Sequence, residues 1–281
     1  MINVAPRGLE KVITNPTLST DGENMTFTEG EYLFILDHQG RKHWFRAQKG
    51  MMKMASLGTL DGDRLIALDD GDVIKLAGKV MHVFRPTVSD LMTSVERGAQ
   101  VITPKDAATI ILECDITSCR TVLEIGAGSG ALSLALLRAI PEEGVLHTIE
   151  LREEYAKRAG RNISRAGMQH RWSYTIGDAT ETTVDIIADA VVMDMPVPWE
   201  AMDAVEPMLR RGGMLCAYIP NTNQLESTVN ELRRRGYVEV RALENIQRGM
   251  DVHAGGVRPS FDTLGHTGYL VFARKAARDE E

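Results

Sequence analysis

The segment Val122-Leu123-Glu124-Ile125-Gly126-Ala127-Gly128-Ser129-Gly130 constrains this chain more than any other. A short apolar run enters a glycine turn, and the turn opens onto an apolar helix-like stretch. The glycines allow the tight turn and close approach of a ligand to the backbone. The helix start beyond them offers N–H groups without intrahelical partners.

The surrounding pattern agrees with a strand–turn–helix unit. Thr121 to Ile125, Gly144 to Glu150, Trp172 to Ile176, Ala190 to Asp194 and Gly213 to Ile219 read as short buried strands. Helical patterns cover Ser129 to Ile140, Arg152 to Ala166, Trp199 to Leu209 and Gln224 to Arg235. Such alternation predicts right-handed βαβ units around a mostly parallel sheet. Tyr237 to Glu244 and His266 to Arg274 have no helix between them, which predicts an antiparallel pair at the sheet edge. Two further helices are expected at Val88 to Arg97 and Lys105 to Glu113.

The first third has a different texture. Glu31 to Asp37, Lys42 to Gln48, Arg64 to Leu68, Val73 to Leu76 and Lys79 to Phe84 are strand-like runs between glycines. They suit a small antiparallel barrel or sandwich. Residues Met1 to Gly30 are expected to start loose, and Met51, Met52 and Met54 to serve core or oligomer packing. The expected organisation is an N-terminal β domain over residues 1–87 and an α/β, Rossmann-like domain over 88–281.

Composition excludes several classes. Thirty-two Lys and Arg against 39 Asp and Glu give 32 − 39 = −7, which argues against a surface given over wholly to nucleic acid. A local basic patch stays compatible with that total. No apolar run reaches membrane-spanning length, so no membrane association is expected. The three cysteines, Cys114, Cys119 and Cys216, cannot all pair and show no zinc spacing, which points to a reduced cytoplasmic setting. The seven histidines form no HxH or HxxxH pair, so no metal is expected.

Two acids fall where a nucleoside cofactor needs them. Glu150 ends the second strand, 24 positions after Gly126, and could accept hydrogen bonds from both ribose hydroxyls. Asp178, in Ile176-Gly177-Asp178-Ala179, follows the third strand and could accept from an adenine amino group. Read as GxGxxG, the glycine turn ends in Ala131, which leaves a dinucleotide site open. Read as E-x-G-x-G-x-G, it fits the first motif of S-adenosylmethionine-dependent methyltransferases. Asp178, the Met193-Asp194-Met195-Pro196-Val197-Pro198-Trp199-Glu200 loop and the two-strand finish favour methyl transfer over hydride transfer.

From about Val83 to Lys275 the chain resembles the tRNA adenine-N1 methyltransferases that modify adenosine 58 in the T-loop. The resemblance is carried by Phe84-Arg85-Pro86-Thr87, Arg97 to Ala108, Glu124 to Gly130, Asp194 to Glu200 and Gly265-His266-Thr267-Gly268-Tyr269-Leu270-Val271. Pro104-Lys105-Asp106-Ala107-Ala108 and Gly265-His266-Thr267-Gly268 are its most specific segments. The resemblance implies an N-terminal β domain, a class I methyltransferase domain, S-adenosyl-L-methionine as cofactor and a homotetramer. It assigns Asp194 as the catalytic aspartate. It places the cofactor against Gly126, Gly128, Ser129, Gly130, Ala131 and Leu132, the ribose on Glu150, and the adenine beside Asp178 and Ala179. Tyr155 matches a further cofactor-lining position. One departure stands out: Thr103 occupies a position where the family often carries an aromatic residue or His. The Met51 to Leu65 region also lacks the family's usual His-containing pattern.

The chemistry is consistent with those roles. Adenine N1 has a free lone pair, so transfer requires alignment rather than a base. The product base is cationic, and a carboxylate accepting from the exocyclic amine would orient it and stabilise the growing charge. Arg158, Arg161, Arg165, Arg171, Arg233, Arg234 and Arg235 are candidate phosphate contacts, each with a solvated helix face as the plain alternative. A methyltransferase acting on a small molecule or protein, a non-catalytic RNA-binding subunit and an NAD-linked dehydrogenase are the competing readings.

Overall fold

A computed structural model describes residues 26–55, 57–76, 78–96 and 101–277. The chain divides into two compact units, Met1–Arg85 and Pro86–Glu281.

In the first unit, β1 (Tyr32–Leu36), β2 (Lys42–Arg46), β3 (Met51–Met54), β4 (Gly58–Asp61), β5 (Val73–Leu76) and β6 (Lys79–Phe84) all pair antiparallel. Four form a sheet in the order β2-β1-β6-β5, and β3 pairs with β4. Alternation in β1 turns Leu33 and Ile35 into a core with Phe45, Met52, Met54 and Val83. Met51 points the other way and is exposed, so the three methionines divide by the period of β3.

Two expectations fail here. Arg64 to Leu68 is not a strand: α1 (Gly62–Ile66) occupies it, started by Asp61, whose side chain accepts from the Asp63 and Arg64 amides. Part of the segment expected to be loose is ordered. Thr26 bridges Asp69 and Phe27 is buried, while Met1 to Met25 lie outside the described residues.

The second unit opens with α2 (Val88–Ser94) and α3 (Pro104–Glu113); Arg97 to Gln100, part of the family resemblance, lie outside the described residues. Then follow β7 (Thr121–Ile125), α4 (Ala131–Ala139), β8 (Val145–Glu150), α5 (Glu153–Arg165), β9 (Trp172–Ile176), β10 (Ala188–Met193), α6 (Met202–Val205), β11 (Leu209–Ile219), α7 (Thr222–Arg234) and β12 (Val238–Glu244). A hairpin of β13 (Met250–His253) and β14 (Gly256–Pro259) precedes β15 (Tyr269–Arg274).

Seven strands form one sheet in the order β12-β15-β11-β10-β7-β8-β9. Strands β9, β8, β7, β10 and β11 are parallel, and β15 runs antiparallel to both β11 and β12. The final two strands therefore pair as the sequence predicts, with β15 inserted inside β12. Central strands are buried on both faces, which is why they read as continuous apolar runs. The helix expected over Trp199 to Leu209 is broken. Pro198 opens one 3₁₀ turn and Pro207 is the second residue of another, leaving only the four-residue α6 between them. Among the described residues, no helix is long and apolar enough to cross a membrane.

Candidate active site

Register places the site residues in one row. Glu150 pairs with Ile176, and the next positions beyond the Ile125–Ile149, Ile125–Met193 and Met193–Ala217 pairs are Gly126, Glu150, Asp194 and Tyr218. Because side chains repeat every second residue, this row lies directly above Thr148, Glu124, Val192 and Cys216 on the same sheet face. The row sits at the carboxyl ends of the parallel strands, where open α/β sheets bind ligands.

Backbone bonds lock the three strand ends together. Gly126 N donates to Ile149 O, Asp194 N to Ile125 O, and Gly177 N to Glu150 O. Gly126 has φ +88°, and a Cβ there would lie 2.2 Å from the Asp194 carbonyl oxygen. Gly130, at φ +79°, packs against the Ala159 backbone of α5. Gly128, at φ +52°, has nothing within 4 Å of a Cβ position, so the turn is open on that side. Ser129, Ala131 and Leu132 are buried, and no side chain caps the start of α4, whose first amides stay available.

Glu150 is nearly buried and ties the turn to its own strand. Its Oε2 accepts from the Ala127 amide at 2.8 Å and the Gly128 amide at 3.2 Å, while Oε1 accepts from the Arg152 amide at 2.9 Å. It thus shapes the glycine turn. Tyr155, on the first turn of α5, has the guanidinium groups of Arg152 and Arg158 against its ring, and Arg152 donates to its hydroxyl. Asp178 is exposed and accepts from the Thr180 amide and hydroxyl, which hold its carboxyl below the usual range. Ala179 beside it is buried.

Asp194 is half-buried, and burial, reinforced by the Glu150 charge, raises its carboxyl to about 7. Glu124 is fully buried one pleat below. Burial also raises it to about 7, against the opposing effect of the Ser133 and Thr148 hydroxyls that donate to Oε2. Its Oε1 is buried without a partner. A nucleoside cofactor that carries both a carboxylate and a cationic centre fits these features: open space beside Gly128, a start of α4 that no side chain caps, and the Glu150 and Asp194 carboxyls in the same row.

Sequence reasoning missed Tyr218 and passed over Glu124. Tyr218 stands at the end of β11 as Asp194 stands after β10, so the strand-end rule that selected Asp194 would also have selected it. Most of the arginines singled out in the sequence have partners within the fold. Arg161 and Arg165 pair with Glu96, and Arg171 donates to the carbonyls of Leu137, Ile140 and Pro141. Arg234 pairs with Glu231, and Arg235 with Glu231, Asp203 and Glu206. All five have partners within the fold, because packing brings carboxylates and carbonyls to them, while Arg161 and Arg234 stay more than half exposed. Arg233 is exposed.

The strand order and the glycine turn after β7 define the class I methyltransferase fold, shared with two solved structures. One is an S-adenosylmethionine-dependent O-methyltransferase from Thermotoga maritima, with TM-score 0.81 and 26% identity, covering 92% of this chain and 97% of that one. The other is the tRNA (m1A58) methyltransferase TrmI from Aquifex aeolicus, with TM-score 0.73 and 27% identity over 90% of this chain and 100% of that one. The chain belongs to the family described as the tRNA methyltransferase complex GCD14 subunit, whose model matches residues 79–258. It is 28% identical to the tRNA (adenine(57)-N(1)/adenine(58)-N(1))-methyltransferase TrmI of Methanocaldococcus jannaschii, over 86% of this chain and 94% of that protein. A Thermus thermophilus tRNA (adenine(58)-N(1))-methyltransferase TrmI is 29% identical, over 86% of this chain and 96% of that protein.

Proposed function

We propose that this chain transfers a methyl group from S-adenosylmethionine to N1 of adenosine 58 in the tRNA T-loop. The observation that carries the reading is the place of Asp194, in register between the glycine turn and Tyr218. That place is where a cofactor held on the turn would meet an acceptor.

When bound, the cofactor supplies an electrophilic methyl group on a sulfonium. Amides of Ser129, Ala131 and Leu132 would hold its charged end where the backbone of Gly126, Gly128 and Gly130 lets it approach, with Glu150 at the ribose and Asp178, Ala179 and Tyr155 around the base. Asp194, once ionised, accepts from the exocyclic amine of the target adenine and stabilises the positive charge that grows on the ring. N1 supplies its own lone pair, so no protein group has to remove a proton before attack. Exposing the Watson–Crick edge within the T-loop costs on the order of a few kcal/mol, which contacts to the RNA backbone must offset.

Assembly as a homotetramer belongs to the same reading. Met250, Val252 and Val257 on the β13–β14 hairpin, with Phe261 and Leu264 beyond it, expose apolar side chains that support self-association. Light scattering that returns the single-chain mass would overturn it. Three free, buried cysteines support a cytoplasmic setting.

The decisive experiment is methyl transfer from labelled S-adenosylmethionine to unmodified tRNA, with nucleoside analysis. 1-Methyladenosine that vanishes when adenosine 58 is substituted carries the proposal, and any product at position 57 is read in the same assay. Cofactor binding without RNA product would move the search to small molecules, proteins or a missing partner.

A further inference from the structure

The two most specific sequence segments meet in space. Asp106 of α3 is completely buried and collects three donors. The Thr103 and Thr267 hydroxyls each lie 2.8 Å from Oδ2, and Lys105 Nζ lies 2.7 Å from Oδ1. Lys105 Nζ also donates to the Thr267 hydroxyl at 2.7 Å, with the lysine side chain only 11% exposed. Thr103, the residue that departs from the family pattern, thus completes this network.

A buried ion pair is poor evidence for stability, since desolvation consumes most of the attraction. What the network does achieve is to fix one stretch of chain. The Thr267 carbonyl accepts the Tyr218 hydroxyl. The next residue, Gly268, leaves the gap that the tyrosine ring fills: a Cβ there would lie 2.4 Å from Tyr218 Cζ and 2.6 Å from Cε2. The ring is held at its tip by a carbonyl and along its edge by a residue that can only be glycine. The hydroxyl stays a neutral phenol, because burial and the nearby Asp106 carboxylate push its pKa up to about 12. Tyr218 is also the register neighbour of Asp194.

We infer that Lys105, Asp106 and Thr267 are positioning residues that fix the Tyr218 ring beside Asp194 and thereby set the acceptor side of the site. This rests on the reading of Asp194 given above. The network touches neither the glycine turn nor Glu150, so it governs turnover and leaves cofactor affinity alone.

The test uses the full-length protein labelled with 3-fluorotyrosine, with the Tyr218 signal identified by its loss in Tyr218→Phe. Thr267→Val removes the hydroxyl but keeps the shape and the carbonyl; Thr267→Ser restores the hydroxyl. The expected result for Thr267→Val is a shifted or broadened Tyr218 signal, kcat for tRNA lowered at least about tenfold, and S-adenosylmethionine affinity within about twofold of the parent. Thr267→Ser should recover both signal and kcat. Thr267→Val and Tyr218→Phe should be non-additive, since one acts through the other. An unchanged fluorine signal, or additive losses, would overturn the inference. If Thr267→Val fails to bind cofactor, Asp106→Asn is read by the same signal with the same two outcomes. Asp194→Ala is assayed alongside: full activity there defeats the reading of Asp194, whereas the fluorine signal judges the positioning network separately.

Discussion

Gly126 and Asp194 touch through their backbones: a Cβ on the glycine would sit 2.2 Å from the aspartate's carbonyl oxygen. The glycine turn after β7 and the loop after β10 are therefore one unit, and two glycines only two residues apart should respond differently to the same substitution. Gly126→Ala combines a left-handed backbone with a backbone collision and should destabilise the second unit by about 3 kcal/mol. Gly128→Ala meets open space and should cost only about 1 kcal/mol of stability. It should nevertheless weaken S-adenosylmethionine binding by roughly tenfold, about 1.4 kcal/mol. Urea unfolding and cofactor titration of the two variants check the contrast. Unchanged cofactor affinity in Gly128→Ala would mean that the turn does not approach the cofactor.

Asp194 should impose a pH dependence on turnover. Its carboxyl is raised to about 7, so the acceptor form grows in as pH rises through neutrality. The expected kcat–pH curve climbs between pH 6 and 8, roughly following one ionisation. Asp194→Ala should lower kcat by about 10²–10³-fold while retaining cofactor affinity. Asp194→Asn keeps an acceptor without charge, so it should fall between the two and lose the climb. A parallel pH profile in Asp194→Asn would assign the ionisation to another group.

Glu124 makes a separate prediction about stability. Its pKa is raised on folding, from an ordinary 4.5 to about 7, so the fold prefers the neutral acid. That preference is fully present below about pH 4.5 and is lost as pH rises through 7, at up to about 3 kcal/mol. Glu124→Gln retains an acceptor for Ser133 and Thr148 without a charge to bury. Compared with the parent by denaturant unfolding, it should gain stability at pH 8 relative to pH 5. No change in that difference would show that folding does not raise the Glu124 pKa.

Arg235 and Arg233 separate a structural cation from a free-standing one. Arg235 has a side chain only 10% exposed and binds three carboxylates. Removing it takes a cation from the largely buried Glu206 and Glu231, so Arg235→Met should destabilise by about 3 kcal/mol. Arg233→Ala should change stability by less than about 0.5 kcal/mol. If Arg233 contacts a phosphate, the variant should also bind tRNA with a salt slope lower by about one. Thermal unfolding and binding at two salt concentrations distinguish the roles.

Much of the second unit was legible because its strands carry strong local signals. Thr121–Ile125 and Trp172–Ile176 fall where their apolar and β-branched runs place them. The misreadings have local causes as well. Arg64 to Leu68 has strand-like composition, yet the Asp61 cap decides for helix. Trp199 to Leu209 has helical periodicity, yet Pro207 interrupts it and its first residues form a 3₁₀ turn that starts at Pro198. The β3–β4 and β13–β14 hairpins went unseen because four-residue strands with mixed polarity show too short a period.

The sequence by itself determined the glycine turn, the alternation that makes the sheet, and the acids at the ends of β8 and β10. These are properties of residues close together in the chain: backbone freedom at glycine, apolar period, and the residue that follows a strand. Tertiary structure alone decided which distant groups meet. Asp106 finds Thr267 across 161 positions, Tyr218 comes beside Asp194 through the register of β10 and β11, and Arg235 gathers Asp203, Glu206 and Glu231. No local pattern encodes those partners, because hydrogen bonds and charges act over a few ångströms of space whatever the separation along the chain.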